Sequence, residues 1–253
     1  MNSKSSTDAS AKVTPRPRGR PAKLTTDTYP VLSRDAILAC ALEMAKREPL
    51  DAISMVKVAA EMKASSSLAH YYLKGRDDLT SGVINLFSKA LVDAAPPRCA
   101  DARADIEAVA RVHHAFLLLY PGIAEYLTRH NRFRLVQKVR EGETDYGVQA
   151  FERLTSAVMR AGFNSEGTAM LTYLLRMFVL SSALAEARFQ TPGFHQQFLD
   201  DTLQRFDKSE YPGLHHALHA FARLDGNSVF EHGLKVILDG HLPAKRTRKA
   251  PSG

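Results

Sequence analysis

Between positions 65 and 76 the chain sets Ser65, Ser66, Ser67, His70, Tyr71, Tyr72, Lys74 and Arg76 close together. Hydroxyls, an imidazole, a phenol, an ammonium and a guanidinium bond well to polar surfaces, but they lack the paired acid or activated nucleophile of an enzyme site. At helical spacing Ser66, Ser67, His70, Tyr71 and Lys74 share one side, while Ala69 and Leu73 share the other. A short helix with that polar side outward suits the major groove, where small residues permit close approach and serine hydroxyls donate to or accept from base edges. Ser66, Ser67, His70 and Tyr71 are therefore the candidate base contacts. Tyr72, Lys74 and Arg76 follow where the chain leaves the groove, within reach of phosphates. Ser54 opens the preceding short helix and adds a hydroxyl to the free amides there, a combination that suits a phosphate oxygen.

A second set of polar and polarizable residues sits within apolar helical faces further along: His113, His114, Tyr120, Tyr126, Tyr173, Arg176 and Met177. A mostly apolar cavity between bundle helices, with a few such groups, is a common small-molecule site. Arg176 calls for an anionic partner, either a carboxylate of the chain or an acidic ligand. His215, His216 and His219 raise a metal reading, but no Glu lies between them and no third spaced ligand is evident, so a polar helix face fits better. With no nucleophile elbow, Gly-rich phosphate loop or dinucleotide fingerprint, no catalytic residue, metal or cofactor is expected. An enzyme working through His113 or His114 stays a rival without a partner acid.

These residues must be positioned by helices, because the ordered segments show helical rather than alternating periodicity and no hairpin signal appears. Ser33 caps a helix with Ile37, Leu38, Ala41, Leu42 and Ala45 on its apolar face; Ser54 caps a second over 55–62. A break at Lys63-Ala64 precedes the third. Ala95-Pro96-Pro97 ends the short-helix region, and longer helices follow over 102–119, 123–139 with a possible break, 145–161 and 165–190, then 194–206, 212–223 and 228–239. The expected fold is all-α: a three-helix helix-turn-helix DNA-binding domain over 32–95, then a larger helical bundle over 100–242, to which the resemblance described below assigns ligand binding and dimerisation.

The 253 residues carry a net charge of +7, and its location matters more than its size. Lys4, Lys12, Arg16, Arg18, Arg20 and Lys23 face only Asp8 in the first 24 residues, and Lys245, Arg246, Arg248 and Lys249 face no acid in the tail. The segment between is slightly acidic. A disordered basic arm over 1–31 and a basic tail over 243–253 fit a polyanionic partner. Cys40 and Cys99 lie in unlike contexts, which favours a reducing compartment, and no secretory signal follows the basic N-terminus. The expected location is the cytoplasm. The most apolar stretch, 170–185, contains Arg176 and falls short of the roughly 20 residues that cross a bilayer, so no membrane partner is expected.

The stretch 54–79, centred on Ser65-Ser66-Ser67-Leu68-Ala69-His70-Tyr71-Tyr72-Leu73-Lys74, resembles the DNA-binding domain of the TetR family of bacterial transcriptional regulators. Gly75-Arg76-Asp77-Asp78-Leu79 is similar to that family's lead into its fourth helix, and the segment 227–240 to the closing helix of many members. The resemblance implies a homodimer that binds a palindromic double-stranded operator, a repressor released by a small molecule held by the middle helices, with dimerisation through the helix at 165–190 and a late helix. A ligand-independent DNA-binding or architectural protein is the alternative. Lys63 stands where the family usually has Gly, so it must adopt that backbone or shift the turn. Arg16-Pro17-Arg18-Gly19-Arg20-Pro21 looks like the core of an AT-hook, which would place Arg18 and Arg20 in a narrow minor groove.

Overall fold

The computed structural model describes residues 33–130 and 138–242, so the arm with Arg18 and Arg20 and the tail from 243 lie outside the described residues. Every regular element among the described residues is helical. Helix α1 (Arg34–Met44) begins where the Ser33 hydroxyl accepts from the Ala36 N–H at 3.1 Å, and it buries Ile37, Leu38, Ala41 and Leu42. A single 3-10 turn, Leu50–Ala52, leads to α2 (Met55–Glu61), where the Ser54 hydroxyl accepts from the Lys57 N–H at 3.2 Å.

Lys63 takes the left-handed backbone, with φ 53°. Around it the Ala64 N–H reaches the Ala59 carbonyl at 2.8 Å and the Lys63 N–H reaches Ala60 at 3.0 Å, the pairing that closes a helix on a left-handed residue. The lysine thus adopts the turn rather than shifting it. Helix α3 (Ser66–Tyr72) follows, and Leu73 seals its end at 1 % exposure. Helix α4 (Arg76–Asp93) starts after Gly75, whose φ of 135° few side chains tolerate.

The larger part comprises α5 (Ala102–Leu119), α6 (Pro121–Arg129), α7 (Tyr146–Met159), α8 (Ser165–Ala187), α9 (Gln196–Leu203), α10 (Pro212–Phe221) and α11 (Gly226–His241). Asp101, Asp145, Asn164 and Asp225 cap α5, α7, α8 and α11 through their side chains. Ile106, Val109, Ile123, Leu154, Leu171, Leu175, Phe230 and Leu234 fill the core between them. Helix α6 ends at Arg129, residues 131–137 of the segment expected as helical lie outside the described residues, and 138–145 is not helical. Helix α8 ends at Ala187, where Phe189 enters the left-handed region with φ 54°.

At 23 residues α8 is longer than the apolar stretch at 170–185 implies, and by length and hydropathy it could cross a membrane. One side of it is packed inside the protein. Leu171, Leu175, Val179 and Ala183 are buried against α5, α6, α7 and α11, as in the central helix of a bundle.

Several contacts join the first four helices to the rest, among them one at Gly122 and one at Arg140. The Gly122 N–H donates to the Ala45 carbonyl at 2.9 Å, and a Cβ on Gly122 would lie 2.0 Å from the Glu48 carbonyl oxygen, so α6 can approach α1 this closely only with glycine there. Arg140, from the segment before α7, donates to the Tyr72 carbonyl at 3.0 Å and pairs with Asp78.

Candidate nucleic-acid interface

Helix α3 presents Ser66, Ser67, His70 and Tyr71 to solvent, with Tyr71 81 % exposed. None is covered by the other described residues. Among the described residues the serines find a local partner: the Ser65 and Ser67 hydroxyls lie 3.1 Å apart. Tyr71 stands edge-on to Tyr72 with ring centroids 5.2 Å apart, which holds the exposed phenol upright beside a half-buried neighbour.

The candidate phosphate contacts flank this face with unequal freedom. Lys74 is exposed; its backbone N–H donates to Asp78 at 2.9 Å. Arg76 is also exposed, but its guanidinium donates to the Asp51 carbonyl. Ser54 spends its hydroxyl on capping α2, and the Tyr72 ring is half-buried. Lys63, in the turn, is exposed and has no ion pair among the described residues. Lys57 is engaged by Glu48 at 2.6 Å.

Behind this face, two carboxylates hold the junction with the larger part. Asp78, at the start of α4, is bridged by Arg34 at 3.4 Å and by Arg140. Burial raises its pKa, but the Arg140 bond and the Lys74 N–H outweigh burial and hold the carboxyl below its usual range. Arg34 also binds Glu143 at 2.8 Å, and Asn85 of α4 exchanges bonds with the Thr144 carbonyl and the Tyr146 N–H, each at 3.0 Å. The 138–145 segment is thus strapped across α3 and α4.

Asp105, on α5, is fully buried. Arg153 of α7 forks onto it at 2.6 and 2.9 Å, and Arg160 binds it as well. The same arginines reach the linker between α4 and α5: Arg153 donates to the Pro96 carbonyl at 3.1 Å and Arg160 to the Cys99 carbonyl at 3.0 Å. Burial pushes the Asp105 carboxyl up, yet the Arg153 fork and the Cys99 N–H bring it below its ordinary value.

Beside this cluster lies a cavity of about 350 Å³, bounded by the end of α4, the middle of α5 and the first two turns of α7. Leu91, Val109, Val112 and Ala150 supply apolar walls, with His113, Gln149, Glu152, Arg98 and Arg153 among them. Of the seven residues expected to line a pocket, only His113 does so here. His114 is buried and stacked on Phe230 with centroids 3.8 Å apart. Tyr120 packs against Phe87, and Tyr126 against His130. Tyr173 and Met177 are exposed on the outer side of α8, and Arg176 lies over the Phe151 ring at 5.6 Å. A 3.6 period identifies apolar faces but cannot tell a packed face from one that borders a void. Asp105 left a signal in the sequence, an acid on the face of α5 that also carries Val109 and Val112. Its partners, 48 and 55 residues away, left none.

A family model described as the tetracyclin repressor-like C-terminal domain matches residues 97–243, more than half of the chain. The chain belongs to the TetR family. This makes it a transcriptional regulator, not an enzyme acting through His113 or His114. Among curated proteins no match was found. The TetR-type fold is shared with apo ActR from Streptomyces coelicolor, at TM-score 0.68 and 24% identity, covering 83% of this chain and 95% of that one. The same TetR family protein in complex with (S)-DNPA aligns at TM-score 0.65 and 25% identity, covering 83% and 97%. BioQ with its double-stranded DNA operator aligns at TM-score 0.53 and 14% identity, covering 83% and 97%.

Proposed function

We propose that this TetR-family regulator is a cytoplasmic repressor that binds a palindromic operator as a homodimer and is released by a small molecule. The observation that carries the reading is the open polar face of α3, a short helix led by serines that is exposed among the described residues. In this reading 32–95 is the DNA-binding domain and 100–242 the ligand-binding and dimerisation domain. Ser66, Ser67, His70 and Tyr71 contact bases; Ser54, Tyr72, Lys74 and Arg76 contact phosphates; Arg18 and Arg20 enter the minor groove. The dimer forms through α8 and α11, whose outer sides expose Met170, Tyr173 and Met177 and Val229 and Val236, a set that a second copy would cover. Two recognition helices about one DNA turn apart then require a two-fold site. Ligand response is supported by the cavity at the end of α4 and by the ligand-bound state of the related ActR.

Duplexes selected from a randomised library by the full chain test the reading. They should converge on an inverted repeat bound by a dimer in sedimentation, and Tyr71→Ala or a paired Ser66→Ala, Ser67→Ala change should abolish the preference while leaving the melting temperature in place. A selected set with no dyad, or one unaffected by these changes, would sink it. Removing residues 1–24 should lower the salt slope of binding.

A further inference from the structure

The cavity beside Asp105 is asymmetric in charge. Its deep walls are hydrocarbon: Leu91 from α4, Val109 and Val112 from α5, Ala150 from α7. Along one side stand Arg153 and, at the exposed rim, Arg98, which has no ion pair among the described residues. Arg153 is bound to Asp105, and that single carboxylate is shared with Arg160. The opposing acid, Glu152, is exposed and accepts from the Ser156 hydroxyl.

His113 lines the same cavity, half-buried and with no hydrogen-bond partner among the described residues. Burial lowers its pKa to about 4, and Arg176 and Arg153 add to the effect. At neutral pH the ring is therefore uncharged, with one N–H to donate and one nitrogen to accept. The positive potential of these arginines, which adds to the effect of burial on the imidazole, also favours an anion in the space beside it.

We propose that this cavity takes a compact, largely apolar molecule bearing one acidic group, with the acid toward Arg98 and Arg153 and a hydroxyl or carbonyl of its body on His113. The proposal rests on the reading of the chain as a ligand-responsive regulator and specifies the chemistry of that ligand. It also gives the ligand a lever: Arg153 holds the Pro96 carbonyl just beyond the end of α4, so an acid that draws on this guanidinium acts directly on the linker. The volume of about 350 Å³ lies at the lower end for small-molecule sites.

Two probes that share one body separate charge from shape: anilinonaphthalene sulfonate and its uncharged parent, phenylnaphthylamine. The full chain should bind the sulfonate more tightly by roughly tenfold, the scale of one charge interaction. Arg98→Ala should remove most of that difference while leaving the neutral probe's binding as it was. Ala150→Phe, which fills the cavity, should abolish binding of both. If Arg153→Met folds, it should act as Arg98→Ala does; if it does not, Arg98→Ala carries the test. Equal affinity for the two probes would overturn the proposal, as would sulfonate binding indifferent to Ala150→Phe, which would place the probe on the exposed aromatic residues instead. Binding of the selected duplex, measured in parallel without probe, is independent of these results, so its absence would strike the regulator reading and leave the cavity chemistry standing.

Discussion

Helix α3 and the α4–α5–α7 junction treat polar side chains in opposite ways. On α3, Ser66, Ser67, His70 and Tyr71 stand in solvent, and Ser67 shares a hydrogen bond with the neighbouring Ser65. At the junction Asp105 is fully covered and takes bonds from two arginines and a backbone amide. An exposed polar group contributes little to stability and is free to bind something else. A buried charge must be matched, and removing its match exposes the full cost of desolvation. Mutations on the two sides should therefore separate folding from binding.

The largest effect is expected from Asp105→Asn, which leaves Arg153 and Arg160 without their carboxylate; a loss of about 3–5 kcal/mol in chemical denaturation is expected. A loss below about 1 kcal/mol would mean the junction tolerates unpaired charge as a surface does.

Next comes acid titration. The pKa values of His113 and His114 are lowered from 6.5 to about 4, chiefly by burial, so between those limits the unfolded chain binds protons that the folded chain does not. Stability should fall as pH drops from 6.5 to about 4, by up to roughly 1.4 kcal/mol per unit for each histidine. His114→Phe, which keeps an aromatic ring against Phe230, should make the slope shallower in melts across that range.

On the open side the signs reverse. Tyr71→Ala should change stability by less than about 0.5 kcal/mol yet cost about 1–3 kcal/mol in affinity for the selected duplex, read by fluorescence anisotropy. A large fall in melting temperature would show that Tyr71 is structural after all. Smallest is Lys63→Gly, which relieves the left-handed lysine and should raise stability by at most about 1 kcal/mol. Unchanged duplex affinity would show that the lysine's backbone, and not its charge, matters at that turn.

Residues with local causes were legible from the sequence. Ser33 and Ser54 cap helices because their hydroxyls reach an amide three residues on. The polar side of α3 follows from spacing alone, and Lys63 was marked by the turn it must make. The pocket was less legible: Tyr120 and Tyr126 occupy apolar faces as expected, but those faces are packed against Phe87 and His130.

Periodicity, caps and turn chemistry determined the helices and the outward serine-led face, since each depends on neighbours within one or two turns. Where α7 lies against α5 was decided only in three dimensions, and with it the pairing of Asp105 with Arg153 and the void beside His113. Long-range partners meet through the packing of whole helices, and a void is what that packing leaves unfilled, so neither is written in any local run of residues.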